Sequence, residues 1–481
     1  MSNLSELLPT GGGQNTANFV ASGTLSSGQV VVLRSDGKVE AVSTSPATGG
    51  ANNTFDTLYP YVTSGVYDEA SNTIVLAYRQ LSGSAFGRAV VGSISGTTIT
   101  FGTAVVFESA SIGATKIAYG DGKVVITYTD SGNSDYGTAI VGTVSGTSIS
   151  FGTAAVFASH GVGDASPIVY DSANNKFILA YLGAASTYYG YTRFATVSGT
   201  SISFSGATIF AFVFVYRMGM VYDPDSGNAI VAYRDVTSGN LGRVQALYIN
   251  GSSMSYGSVN TFYGGGVDAT TEGLGVVYDT TNDKVVISFK VSNLGRVIVG
   301  SVSGTSFSFG TLATYTSSGN LGTSSLCFDP SRSVVLIQYA DPANSGYYTV
   351  TEGTVSGTSI SLSTPAVVKS VSTSSYLSSY DTTANQAIMG FTDGSNSYGQ
   401  AFAYIPAGST KDNAIGLTAS AIANGASGSV NLKGGLNEAQ TGLTIGADYY
   451  AQDDGTLSTT VTSSKIGQAI SATTINMMDL T

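Results

Sequence analysis

Residues 142–153 read Gly142-Thr143-Val144-Ser145-Gly146-Thr147-Ser148-Ile149-Ser150-Phe151-Gly152-Thr153, and the chain writes this phrase repeatedly. Copies stand at 92–102, 196–204, 300–310 and 353–362, with a degraded one from Tyr248 through Asn250-Gly251 to Gly257. In each, apolar and small polar residues alternate on both sides of a Ser-Gly or Asn-Gly pair. That pattern predicts a strand, a tight turn and a second strand. Hairpins recurring at a regular interval make this a repeat protein.

A second marker keeps the same rhythm, an aromatic followed by Asp at the end of an apolar strand. It stands at Tyr67-Asp68, Tyr170-Asp171, Tyr222-Asp223, Tyr278-Asp279, Phe328-Asp329 and Tyr380-Asp381, with Tyr119-Gly120 as its variant. A turn and another apolar strand follow, ending at Tyr78, Tyr128, Tyr181, Tyr233, Phe289, Tyr339 or Phe391. Each unit therefore holds four strands, two before the hairpin and two within it. Four strands repeated seven times predict an all-β, seven-bladed β-propeller. A parallel β-helix ranks second, because its coils are shorter and lack hairpins. The marker aspartates each open a turn, where an Asx side chain bonds the backbone, so turn formation outranks catalysis for them.

The seventh unit stops short. After Gln400-Ala401-Phe402-Ala403-Tyr404-Ile405 the chain turns at Pro406-Ala407-Gly408 without a last strand. An unpaired edge would be exposed there, so a segment within residues 43–56 is expected to supply the strand and close the ring. Counting strand directions then places both ends of the propeller, residues 43–408, on one side.

Composition agrees with a packed all-β protein. Of 481 residues 42% are hydrophobic and 10% charged, with 61 Gly and 29 Tyr. The net charge of −11 disfavours a nucleic-acid partner. A single Cys, Cys327, excludes an intrachain disulfide, and a single His, His160, excludes the usual zinc sites; both read as structural. The longest apolar run, residues 207–216, is too short to span a bilayer, so no membrane insertion is expected. The first residues have neither a basic start nor an apolar core, so synthesis in a cytoplasm without an export signal is expected. No nucleotide loop, metalloprotease motif, nucleophile elbow or Asp-box stands in the sequence, so neither cofactor, metal nor catalytic residue is expected.

Residues 1–16 read as a flexible arm. Short strands with hairpin turns at Ser35-Asp36-Gly37 and Asp453-Asp454-Gly455 predict that residues 17–42 and 409–481 are halves of one small β-barrel-like anchoring domain, with the propeller inserted between them. The segments Gly442-Leu443-Thr444-Ile445-Gly446, Tyr449-Tyr450, Asp454-Gly455-Thr456-Leu457-Ser458-Thr459 and Ile466-Gly467-Gln468-Ala469-Ile470-Ser471 resemble terminal modules of tailed-bacteriophage virion proteins. Gly28-Gln29-Val30-Val31-Val32-Leu33 with Ile415-Gly416-Leu417 is similar to small capsid-decoration barrels. The resemblance implies a structural protein of the virion surface, held to other virion proteins through the split domain and oligomeric in the particle. No collagen-like or coiled-coil shaft accompanies it, a departure from long tail fibres.

The loops between second and third strands carry the candidate ligand-binding residues: Phe86, Arg88, Tyr136, Tyr188, Tyr189, Tyr191, Arg243, Arg296, Tyr347, Tyr348 and Tyr398. Aromatic faces stack on sugar rings and Arg grips carboxylated glycans. The competing reading is that each residue pins its own loop to the blade. Tyr188, Tyr191 and Tyr348 break the repeat and so lead as ligand candidates. The expected function is that of a tail-associated receptor-binding protein whose propeller contacts host cell-surface polysaccharide. A capsid-decoration or head-fibre protein is the alternative, and a glycan-cleaving enzyme ranks third.

Overall fold

The computed structural model describes residues 15–163, 166–184, 187–267, 274–317, 321–322 and 324–477, which fold almost wholly as strands and turns. They form two compact units, one of Thr48–Ile405 and the other of the residues up to Ala47 with those from Pro406 onward.

The larger unit is seven antiparallel sheets. In the first, Pro60–Asp68, Thr73–Gln80 and Phe86–Ser95 run in succession from the inside outward. Thr98–Phe101 then pairs with only the far end of the third strand. The chain breaks at Gly102, and the first half of Val105–Gly120 finishes that outer edge before crossing to become the innermost strand of the second sheet. So the fourth strand does not end with the hairpin phrase, as the sequence pattern suggested; it resumes after a break. The turn glycines Gly96 and Gly146 hold φ of +57°, which an L-side chain resists.

The remaining innermost strands are Ile168–Asp171, Val215–Asp223, Gly275–Asp279, Ser324–Asp329 and the second half of Ala366–Asp381. They follow one another in a ring, with the last lying beside Pro60–Asp68. The seventh sheet has three strands of its own, ending in Gly399–Ile405. Its outer edge is donated by Thr48–Gly49 and Asn53–Asp56, with Gly49 opposite Tyr404 and Asp56 opposite Gly399. Thr48 stands opposite Ile405, so the propeller begins and ends on one sheet edge.

One aromatic device holds neighbouring sheets together. The seven residues ending the second strands, from Tyr78 to Phe391, are each at most 1% exposed. Onto them pack aromatics from the preceding sheet's outer edge: Phe107 on Tyr128, Phe157 on Tyr181, Phe210 on Tyr233, Phe262 on Phe289 and Tyr315 on Tyr339. Their ring centroids lie 5.1 to 5.7 Å apart, in the range where tilted aromatic pairs attract. Phe55, on the donated segment, makes the closing contact with Tyr78 at 5.5 Å. Each of these outer rings packs closely against a third-strand glycine. A Cβ at Gly87, Gly137, Gly190, Gly242, Gly295 or Gly399 would stand 2.3 to 2.5 Å from it.

The hairpin phrase has its own reason. Gly102, Gly152, Gly257 and Gly310 receive the turn threonine of the next sheet, Thr147, Thr200, Thr305 and Thr358, so closely that a Cβ would collide with it. Ser205 and Ser363 replace that glycine where the next sheet has the altered turn Gly251-Ser252 or no such hairpin. Motif and packing thus vary together along one chain.

In the other unit, the first sheet interleaves both chain ends in the order Thr16–Val20, Ser427–Leu432, Ala414–Thr418, Val30–Leu33 and Val39–Ala41. A parallel bridge from Ala21 to Val39 brings its two edges together. A second sheet is built entirely from residues 436–477. Val30, Val32, Leu417, Tyr449, Ile466 and Ile475 form the core that the two sheets share. The expected arm over residues 1–16 lies outside the described residues except for its end, and that end is ordered. Asn15 donates to the Lys433 carbonyl at 3.1 Å, and Thr16 opens a strand.

Candidate functional site

Antiparallel succession puts the second-to-third-strand loops and the links between sheets on the same end of the ring. The candidate residues on these loops do not share one environment.

Most serve the blades. Tyr348 is fully buried, its hydroxyl donating to Gln338 Oε1 and its ring in contact with Tyr376, Phe391 and Phe402. It replaces the third-strand glycine, while Val368 replaces the outer aromatic, so ring and void have exchanged strands. The expectation that Tyr348 contacts ligand is corrected: it breaks the repeat for packing reasons. Tyr191 stacks on Tyr181 at 5.8 Å, beside His160. Arg88 stands 3.7 Å from Asp56, the carboxylate that also accepts the Tyr78 hydroxyl at 2.6 Å, so it ties down the donated strand. Arg243 pairs with Asp235 at 3.4 Å and donates to Thr261, and Arg296 donates to Thr314. Phe86, Tyr136 and Tyr347 are half-buried at the starts of third strands. Tyr398 is exposed, at the end of a loop held by Asn396.

Tyr188 and Tyr189 are different. They stand just before the third strand of the third sheet, Gly190–Ser198, and they meet Phe212 and Phe214 of the link into the fourth sheet. Tyr188 stacks on Phe214 with centroids 4.5 Å apart, and Tyr189 meets Phe212 edge-on at 5.7 Å. Phe214 touches Tyr216 at 6.4 Å, and the guanidinium groups of Arg217 and Arg234 lie 4.8 and 5.7 Å from the Tyr216 ring centre. Backbone bonds fix the arrangement: Val215 N donates to Tyr188 O at 3.0 Å, Gly183 N to Tyr189 O at 2.8 Å, and Val236 N to Phe214 O at 2.9 Å. Phe212 is nevertheless 67% exposed. A contiguous exposed aromatic surface on a protein usually marks an interaction site.

Phe212, Phe214, Tyr216 and Arg217 were not among the sequence candidates. The signal was there: after Phe210 the aromatics recur at every second position, where Phe107 and Phe157 are followed by small or polar residues.

At the ring's centre the innermost strands enclose a cavity of ≈ 310 Å³, lined by residues that include Ser64, Lys116, Arg217, Ser325 and Ser378. No carboxylate stands among its described lining residues, and no group of three His, Cys, Asp or Glu side chains gathers as a metal site among the described residues. Burial pushes the Cys327 thiol up to about 12, which keeps it protonated and unreactive. On the opposite end of the ring, Asp68, Asp223, Asp279, Asp329 and Asp381 accept backbone N–H groups of their own turns. Tyr222 and Tyr380 donate to the aspartate of the preceding blade, Asp171 and Asp329, at 2.9 Å. The marker pairs therefore build turns and junctions.

No protein-family model matches the chain, and no curated protein sequence matches it. Among solved structures, the periplasmic gluconolactonase of Pseudomonas aeruginosa is 11% identical, covers 74% of this chain and 97% of its own, and has a TM-score of 0.51. A protein from Lactobacillus plantarum is 13% identical over 74% of this chain and 97% of its own, with a TM-score of 0.48. The Dos1 propeller is 10% identical over 80% and 94%, with a TM-score of 0.46. At these identities the likeness to the gluconolactonase extends to the fold alone. The chain is an all-β protein of the β-propeller fold.

Proposed function

We propose that this chain is a recognition protein of a tailed-phage particle, held to other virion proteins by its terminal unit and contacting host cell-surface polysaccharide through the propeller. The reading puts the protein on the virion surface as a tail-associated receptor-binding component. The observation that carries the binding half is the preformed aromatic cluster of Tyr188, Tyr189, Phe212 and Phe214, in which Tyr188 and Phe212 are exposed and the other two half-buried. Sugar rings present C–H faces to such surfaces. The attachment half is supported by the resemblance of residues 442–471 to virion terminal modules. The likeness of residues 28–33 and 415–417 to capsid-decoration barrels supports a second placement, on the head as a decoration or fibre protein. Labelling particles with antibody against this chain separates the two placements.

Screening the full chain against host-envelope polysaccharides tests recognition itself. Retention of a subset of these glycans without their cleavage supports the reading. Release of sugar would replace it with an enzyme; glycoside hydrolysis needs two carboxylates facing the bond.

A further inference from the structure

We propose that the junction of the third and fourth sheets binds an acidic pyranose, with the sugar's face on Phe212 and Tyr188 and its carboxylate toward Arg217. This rests on the glycan-recognition reading and assigns it a site and a ligand class.

Two observations converge. First, the aromatic device that joins neighbouring sheets is already complete here in Phe210 and Tyr233, which are buried. Phe212 stands beyond it, 67% exposed, and Tyr188 is exposed on Phe214. An exposed aromatic cluster of this kind marks an interaction surface. Second, the aromatic surface leads to a cation. Phe214 meets Tyr216, and Arg217 lies over Tyr216 at the cavity wall. In a chain with 19 basic and 30 acidic side chains, a guanidinium at the end of an aromatic track is complementary to a carboxylated sugar. Stacking supplies sugar affinity, and the planar guanidinium supplies selection for the carboxylate.

The test is saturation-transfer NMR on the full chain with methyl β-glucuronide and methyl β-glucoside, which differ at C6 by the carboxylate. The glucuronide is expected to bind about tenfold more tightly, the size of one charge-assisted hydrogen bond. Phe212→Ala, at an exposed position that leaves the fold intact, should weaken both sugars. Arg217→Gln should bring the glucuronide to the level of the glucoside, and Arg217→Lys should restore part of the difference. Equal binding of the two sugars, or a glucuronide preference that survives Arg217→Gln, overturns the charge assignment and leaves sugar recognition standing. Sugar binding unchanged by Phe212→Ala overturns the site and likewise leaves recognition standing. No response to either sugar overturns the proposal, and recognition falls with it only if the polysaccharide screen is also blank.

Discussion

Replacing Phe55 by Ala should open the ring at one defined place. Phe55 is 6% exposed, packs closely against Gly399 and meets Tyr78 and Phe101 at 5.5 and 5.7 Å. A buried Phe ring hides roughly 175 Å² of apolar surface, which at about 25 cal/mol per Å² is about 4 kcal/mol. That agrees with the roughly 3–5 kcal/mol of Phe-to-Ala substitutions in cores. The same substitution at Phe107 removes an equivalent contact from a strand covalently continuous with both of its sheets. Both variants should therefore lose similar stability in urea unfolding. Only Phe55→Ala should also release the donated strand, seen as faster amide hydrogen exchange over residues 48–56. A loss below about 1 kcal/mol with exchange at residues 48–56 unchanged would refute closure by this segment, since surface substitutions fall in that range.

Tyr348→Gly should cost about 3–5 kcal/mol as a cavity and Val368→Phe about 1–3 kcal/mol by overpacking. The double variant rebuilds the arrangement of the other sheets and should be more stable than the sum of the two losses; strict additivity in a double-mutant cycle would contradict the exchange of ring and void. Gly120→Asp writes the missing marker aspartate, yet its Cβ would stand 2.1 Å from the Tyr170 ring, so it should lower the thermal midpoint. A raised midpoint would show that turn chemistry outweighs this contact. Burial pushes the Asp329 carboxyl up, but hydrogen bonds from Ser331, Arg332 and Tyr380 outweigh it and hold the carboxyl below its usual range. Its folded value lies under its unfolded one, so its contribution is fully present above about pH 4 and lost as pH falls through the folded value. Asp329→Asn should flatten the acid side of the stability profile, and an unchanged profile would exclude this carboxylate as a contributor.

The ring was legible because its physics is repeated: alternation fixes strands in all seven units, and six of them carry the Ser-Gly or Asn-Gly turn and six the marker aspartate that opens a turn. The closing register was legible too, though less openly. Gly50 and Phe55 keep the spacing of Gly102 and Phe107, Gly152 and Phe157, and Gly257 and Phe262, because one residue meets the next hairpin and the other the next sheet's buried second-strand aromatic. The site was harder to read. A break in a repeat has two causes that look alike in one dimension. Tyr348 breaks it because Val368 on the neighbouring strand leaves room, whereas Tyr188 breaks it beside an added run of aromatics. Only the partner across the sheet tells them apart.

A glycan array probed with the full chain and with Phe212→Ala tests the central claim, recognition through the aromatic junction of the third and fourth sheets. The account predicts a restricted set of envelope glycans, acidic ones foremost, retained by the chain and lost or strongly weakened in the variant. An identical set of signals from both proteins would contradict it, as would a blank array.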